Sequence, residues 1–183
     1  MAFTIIVDGT NFISELERHG KDKDYILNKL SFPSLAGIIQ TKLIENGLAG
    51  KPFQRTEFIC SDKPLGSFKG TDKQEILNKL MQERGVRVEK IELSSKSRVE
   101  KAVDMTVFSR MLAVGGVPWN HVVLIAKDRD YVPAIRELMN KGIHVILIGF
   151  DDGGNYPIDL KNECYLFLDM NALLKEIEST SSS

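Results

Sequence analysis

Cysteine and histidine are scarce in this chain, with two of the first and three of the second among 183 residues. No CxxC or HxxxH spacing occurs, which excludes the usual thiolate and imidazole zinc sites. Cys60 and Cys164 each sit in an apolar run, so both are expected as reduced core thiols of a cytoplasmic protein. Long hydrophobic runs are missing too. None approaches the ~18 residues that a spanning helix needs, so no membrane is expected among the partners. The first residues, Met1 to Asp8, have neither the basic start nor the apolar length of a secretory signal. Net charge is almost absent, −1 at pH 7, so the molecule as a whole makes no electrostatic statement about a partner. No serine lies in a nucleophile elbow, and neither GxxxxGK[ST] nor GxGxxG is present, which removes the common serine-hydrolase and nucleotide-loop readings. The lone tryptophan, Trp119 beside Pro118, reads as a packing residue rather than a base-stacking platform.

Hydrophobic residues make up 43% and charged residues 27%, a composition that folds around a real core. The length predicts a single domain over residues 1–178, with a disordered serine-rich tail at 179–183. Charge is unevenly placed: residues 51–101 hold 12 Lys/Arg against 8 Asp/Glu. This basic third either meets a polyanion or forms the solvated faces of two helices.

Apolar runs alternate with amphipathic segments. Phe3–Val7 is a strand buried on both faces, Thr56–Cys60 a second, and Val86–Ile91 a third that alternates. His121–Ala126, Ile143–Ile148 and Cys164–Leu168 complete the strands. Helices are predicted around Leu35–Ile44, from an Asp72 cap to Met81, and over Val103–Val114, Val132–Met139 and Asn171–Ile177. Segment 13–31 is polar and is expected as an insertion folding over the site. Repeated strand–helix units of this kind predict an α/β fold, a Rossmann-like three-layer sandwich with a mainly parallel central sheet.

In such sheets ligands bind outside the carboxyl ends of the strands. Asp8 directly follows the first strand, and Asp128 and Asp130 follow the fourth. Asp104 is placed near the start of the helix that precedes the fourth strand, at the same edge. Four acids from three segments thus converge, and adjacent carboxylates repel unless a cation neutralises them. Oxygen ligands of this type suit Mg²⁺ or Mn²⁺ and the hydrolysis of phosphodiesters. Each acid taken singly is also an ordinary helix or turn cap. Asn11 either orients a water or phosphate or caps a turn. Lys101 and Lys127 either meet substrate phosphate or stay solvated, and Lys127 could also compete with a metal for the acids. Asp151 and Asp152 either add a further acid to the rim or form a solvated turn with the Gly153-Gly154 pair, which resembles a phosphate loop only superficially.

With these residues in place, the chain resembles the NYN-domain family of PIN-like ribonucleases, in its DUF88 branch. The resemblance rests on Ile6-Val7-Asp8-Gly9-Thr10-Asn11, on Lys101-Ala102-Val103-Asp104, and on Leu124-Ile125-Ala126-Lys127-Asp128-Arg129-Asp130-Tyr131 continuing through Val132-Pro133-Ala134-Ile135 to Gly142-Ile143-His144-Val145. It spans roughly residues 3–170. It implies a PIN-like fold and hydrolysis of RNA, single-stranded above all, by metal-activated water. Asp8, Asp104, Asp128 and Asp130 would ligate Mg²⁺ or Mn²⁺, Asn11 would belong to the same catalytic group, and Thr10, Lys101 and Lys127 would contact substrate. The family commonly has Ser-Gly-Asp-Ser-Asp-Phe where this chain has Ala126-Lys127-Asp128-Arg129-Asp130-Tyr131. That departure supports an alternative: a catalytically weak member that regulates by binding RNA or a protein. A protein partner or a second copy of the chain stays open. Fragments of toprim (Asp128-x-Asp130) and haloacid-dehalogenase (Asp8-x-Thr10) signatures are incomplete and rank below.

Overall fold

Strand β1 (Phe3–Asp8) is buried along its whole length, as its continuous apolar run predicts for a central parallel strand. It pairs with β2 (Phe53–Ser61) on one side and β4 (His121–Ile125) on the other. Beyond β2 lies β3 (Val86–Ile91); beyond β4 lie β5 (Val145–Gly149) and β6 (Leu166–Asp169). The computed structural model describes residues 2–48, 52–92, 96–117 and 120–180. Among these the sheet has six strands, all parallel, in the order β3-β2-β1-β4-β5-β6.

Residues along each strand alternate between two cores, so the sheet forms the middle layer of three. Phe3, Ile5 and Val7 pack with α1 (Gly9–Arg18), α3 (Phe32–Glu45), α4 (Gly70–Gln82) and α8 (Met170–Thr180), through Phe12, Leu35, Leu77 and Leu173. The short α2 (Lys23–Asn28) adds Tyr25 and Ile26 to that side. Ile6 and Ile59 pack instead with α5 (Lys96–Gly115), α6 (Val132–Asn140) and α7 (Ile158–Glu163), through Val107, Leu138 and Leu160. Each fully buried Leu, Ile or Phe contributes about 1.5–3 kcal/mol, so two continuous cores hold the sheet from both faces.

The chain builds from β1 outward to β3, then returns through α5 to the other side of β1. The helix after β1 therefore goes to one face and the helix after β4 to the other. A crevice opens between the carboxyl ends of these two strands, the switch point of a doubly wound sheet. Gly9 makes the turn out of β1 possible, because a Cβ there would lie 2.4 Å from the Phe58 ring.

Several expectations need correction. Segment 13–31 is not an insertion over the site: it holds the end of α1 and all of α2, and Ile13, Leu16, Ile26 and Leu30 are core residues. Its charges hid the apolar positions between them. Asp72 lies inside α4, whose cap is Lys69. Helix α5 begins at Lys96, so Asp104 sits two turns into it rather than at its start. Helix α7 was not anticipated, and α8 runs through Thr180, into the stretch expected as a disordered tail. Trp119 and Ser181–Ser183 lie outside the described residues. Cys60 is buried, and burial pushes its thiol up to about 11, while Cys164 is only half-buried; both are free.

Candidate active site at the carboxyl ends of β1 and β4

Asp8 ends β1 and caps α1: its Oδ1 accepts the main-chain N–H of Asn11 at 3.1 Å. Asp128 follows β4 and caps a single 3₁₀ turn, Arg129–Tyr131, by accepting the N–H of Asp130 on Oδ1 at 2.9 Å. Capping and site-building are therefore not alternatives here. Each acid uses one oxygen to start the next helical segment, and that bond aims the carboxylate over the strand ends.

Tyr131 ties the acids together. Its ring is buried in the α5–α6 core, and its hydroxyl reaches Asp8 Oδ2 at 3.0 Å and Asp104 Oδ1 at 3.2 Å. A phenol has one proton to donate, so it cannot donate to both carboxylates at once. Asp8 is raised above the ordinary carboxylate range, chiefly by burial and further by Asp128, against the lowering effect of its hydrogen bonds. Asp104 is pushed up to about 6 by burial and by the neighbouring Asp8 and Asp128. The local field thus disfavours adding more negative charge, the condition a cation relieves.

Carboxylate oxygens of Asp104, Asp128 and Asp130 lie within 4.8 Å of one another. Three hard oxygen donors, partly exposed and backed by a fourth carboxylate, fit a divalent ion of the Mg²⁺ or Mn²⁺ type. Asp8, Asp104 and Asp128 open onto a cavity of about 410 Å³ whose lining also includes Thr10, Ser14, Ser61 and Lys63. Asp8 lines this cavity beside Asp104 and Asp128, with each of its oxygens in a hydrogen bond.

The remaining expected residues fall differently. Asn11 and Thr10 line the cavity, and Thr10 Oγ1 accepts the N–H of Ser61 at 3.4 Å. The Lys127 ammonium bonds Glu15 Oε2 on α1 at 3.1 Å, Glu15 being buried and also bound by Arg18, while Lys127 lines a second cavity with Asn11, Asp128 and Asp130. Ala126 is buried, and its carbonyl accepts the Tyr156 hydroxyl. Lys101 is exposed on α5 and is not among the cavity's lining residues. Asp151 and Asp152 are paired with Lys161 and with His19.

Sequence reading missed Tyr131, Glu15, Ser61 and Lys63. Ser61 and Lys63 follow the end of β2, so the rule that drew attention to Asp8 and Asp128 would have found them. Tyr131 and Glu15 carried no such signal, because their role depends on the packing of α1 and α5.

Residues 5–174 match the family model of the NYN domain. A solved structure of a protein of unknown function from Vibrio parahaemolyticus superposes with a TM-score of 0.61 at 14% identity, covering 92% of each chain. At that identity the likeness concerns the fold alone. None of the curated proteins matches this chain in sequence.

Proposed function

The chain belongs to the NYN domain family, and from that premise we propose that it is a metal-dependent ribonuclease cleaving single-stranded RNA. The observation that carries this reading is the cluster of Asp104, Asp128 and Asp130 at the switch point, two of which, Asp104 and Asp128, line the cavity. These three residues would hold Mg²⁺ or Mn²⁺. When bound, such an ion supplies Lewis-acid polarisation of a phosphate and lowers the pKa of water.

The chain's own groups supply position. Tyr131 and the Asn11 N–H hold Asp8, and Tyr131 carries that order to Asp104. Glu15 pairs with the Lys127 ammonium beside the acids. Asn11, which lines the cavity beside Asp8 and Asp128, would orient a phosphate oxygen. The alternative of a catalytically weak RNA- or protein-binding regulator drew on Ala126 and Lys127; Lys127 is paired with Glu15 and the cluster of Asp104, Asp128 and Asp130 is intact beside it, so the enzyme reading stands first.

The deciding experiment follows a labelled single-stranded RNA with Mg²⁺, Mn²⁺ or EDTA, using wild-type protein and Asp128→Asn. Cleavage should require the ion and disappear in the variant. Wild-type protein that neither cleaves nor binds the ion in calorimetry would overturn the reading in favour of the regulator.

A further inference from the structure

Ser61, the last residue of β2, reaches the site by the alternation of its strand. Phe58 and Cys60 belong to the core on the α1 face of the sheet and Ile59 to the core on the α5 face, so Ser61 falls on the α5 face. Asp8 falls on that face as well, since Ile6 does, and it stands opposite Ile59. Ser61 therefore lies one side-chain step beyond Asp8, about 7 Å further along the strand direction and one strand over. The residue is 2% exposed and lines the cavity with Asp8, Val103 and Asp104. Its main chain is fixed on both sides: the N–H donates to Thr10 Oγ1 at 3.4 Å, and the carbonyl accepts the Lys73 ammonium at 2.9 Å. Among the described residues its hydroxyl makes no hydrogen bond. A polar group buried this deeply calls for a partner, and the cavity is the side from which one reaches it.

Two more hydroxyls share the wall. Ser14 donates its proton to the Thr10 carbonyl at 3.0 Å and keeps its oxygen as an acceptor. Thr10 Oγ1 accepts the Ser61 N–H and keeps its proton to donate. Ser61 can do both. A phosphate oxygen, which only accepts, would use part of this set; a guest hydroxyl, which donates and accepts at once, uses all of it. Three carboxylates line the same cavity, so a neutral group is favoured at this wall over a second anion. The 2′-hydroxyl of a ribose has this chemistry, and a deoxyribose lacks it.

We propose that Ser61 and Thr10 form a ribose subsite: their hydroxyls bond the 2′-hydroxyl of the nucleotide seated beside the acids and so select RNA over DNA. Thr10 both donates to the sugar and holds the Ser61 main chain in place. This inference deepens the ribonuclease reading and rests on it for the identity of the strand, but its test does not require cleavage.

The test compares two fluorescein-labelled single strands of one base sequence, an oligouridylate and the matching oligodeoxyuridylate, by anisotropy in the Asp128→Asn background. The RNA should bind at least about fivefold more tightly. Adding Ser61→Ala should lower RNA affinity by about fivefold, the scale of one hydrogen bond, and leave DNA affinity within about twofold, so that the preference disappears. Thr10→Val should act in the same direction, and Thr10→Ser, which keeps the hydroxyl, should not. Mn²⁺ affinity of Ser61→Ala in otherwise wild-type protein should be unchanged in calorimetry. If Thr10→Val fails to fold, Ser61→Ala decides alone, because it removes a single oxygen. Equal affinity of the parent for the two strands, equal loss on both in Ser61→Ala, or no binding of either strand overturns the subsite. So does a fall in Mn²⁺ affinity, which would make the hydroxyl a support of the metal site. Metal-dependent cleavage of both strands alike by wild-type protein overturns the subsite and leaves a nuclease. RNA-selective binding that depends on Ser61, without any cleavage by wild-type protein, overturns the ribonuclease reading and leaves the subsite standing.

Discussion

Two acidic rims lie side by side at the carboxyl edge of the sheet, one at the ends of β1 and β4, the other at the ends of β5 and β6. In sequence they look alike: Asp8, Asp128 and Asp130 on one, Asp151, Asp152 and Asp169 on the other. Their environments are opposite. At the second rim Asp151 is held below the usual carboxylate range by Lys161, and Asp152 by His19. Asp169 accepts the N–H groups of Asp151 and Asn171, both at 3.2 Å. At the first rim the nearest neighbours of the acids are a phenol and one another, and both Asp8 and Asp104 are raised. A carboxylate count does not mark a site; unmatched carboxylates at a switch point do.

The sharpest way to break this comparison is to neutralise one acid from each rim. Asp104→Asn should lower metal-dependent cleavage by at least about a hundredfold, since even groups that only orient metal ligands cost about 10–100-fold when removed. Asp152→Asn should leave cleavage near wild type and lower only the melting temperature, because it frees His19 from its pair. Equal loss in both variants would erase the distinction.

Next in size is Tyr131→Phe. It removes a buried hydroxyl that serves two acids, and should weaken Mn²⁺ binding by about tenfold or more in calorimetry. It should also cost the metal-free protein about 1–3 kcal/mol in denaturant titration near neutral pH, where Asp8 loses a partner. Unchanged metal affinity would make the hydroxyl a packing feature only.

The two rims also bend the pH dependence of stability in opposite senses. Asp104 is raised from 3.8 to about 6 on folding, so the native state holds that proton more tightly than the unfolded chain. Metal-free stability should therefore fall as pH rises through that window and level off above it. Asp151 and Asp152 are lowered, so their stabilisation is present above the ordinary carboxylate value and lost as pH falls through the folded one. Melting temperatures in EDTA should decline from about pH 4 to 6, and the decline should be shallower in Asp104→Asn, with the raised Asp8 supplying what remains. Saturating Mn²⁺ should remove it in wild type.

The smallest effect concerns Lys127. Glu15→Gln leaves the lysine without its carboxylate and should weaken Mn²⁺ binding by a few fold, roughly the ~1 kcal/mol scale of a partly screened charge. Lys127→Met in the same background should reverse the loss. A persistent loss would assign it to α1 instead.

Legibility followed the range of the signal. Strands of continuous apolar residues were readable because burial on both faces leaves one pattern, and Phe3–Val7 and Val145–Ile148 lie where that pattern put them. Helices α1 and α2 were not, because Phe12, Ile13 and Leu16 alternate with Glu15, Glu17 and Arg18, and a polar count conceals an apolar stripe. Asp104 was placed at the right edge for an incomplete reason: α5 starts earlier than expected, yet the helix still carries Asp104 back over the end of β1.

What the sequence alone determined is local and periodic: the parallel strands, the connections between them, and the acids that immediately follow β1 and β4. Only the tertiary structure decided which charges remain unmatched. Lys127 was paired with a glutamate 112 residues away, His19 with an aspartate 133 residues away, and Tyr131 was set between two acids that belong to different elements. Pairing energies depend on distances of a few ångströms between groups that the chain brings together only when both cores close. No window of sequence contains that information.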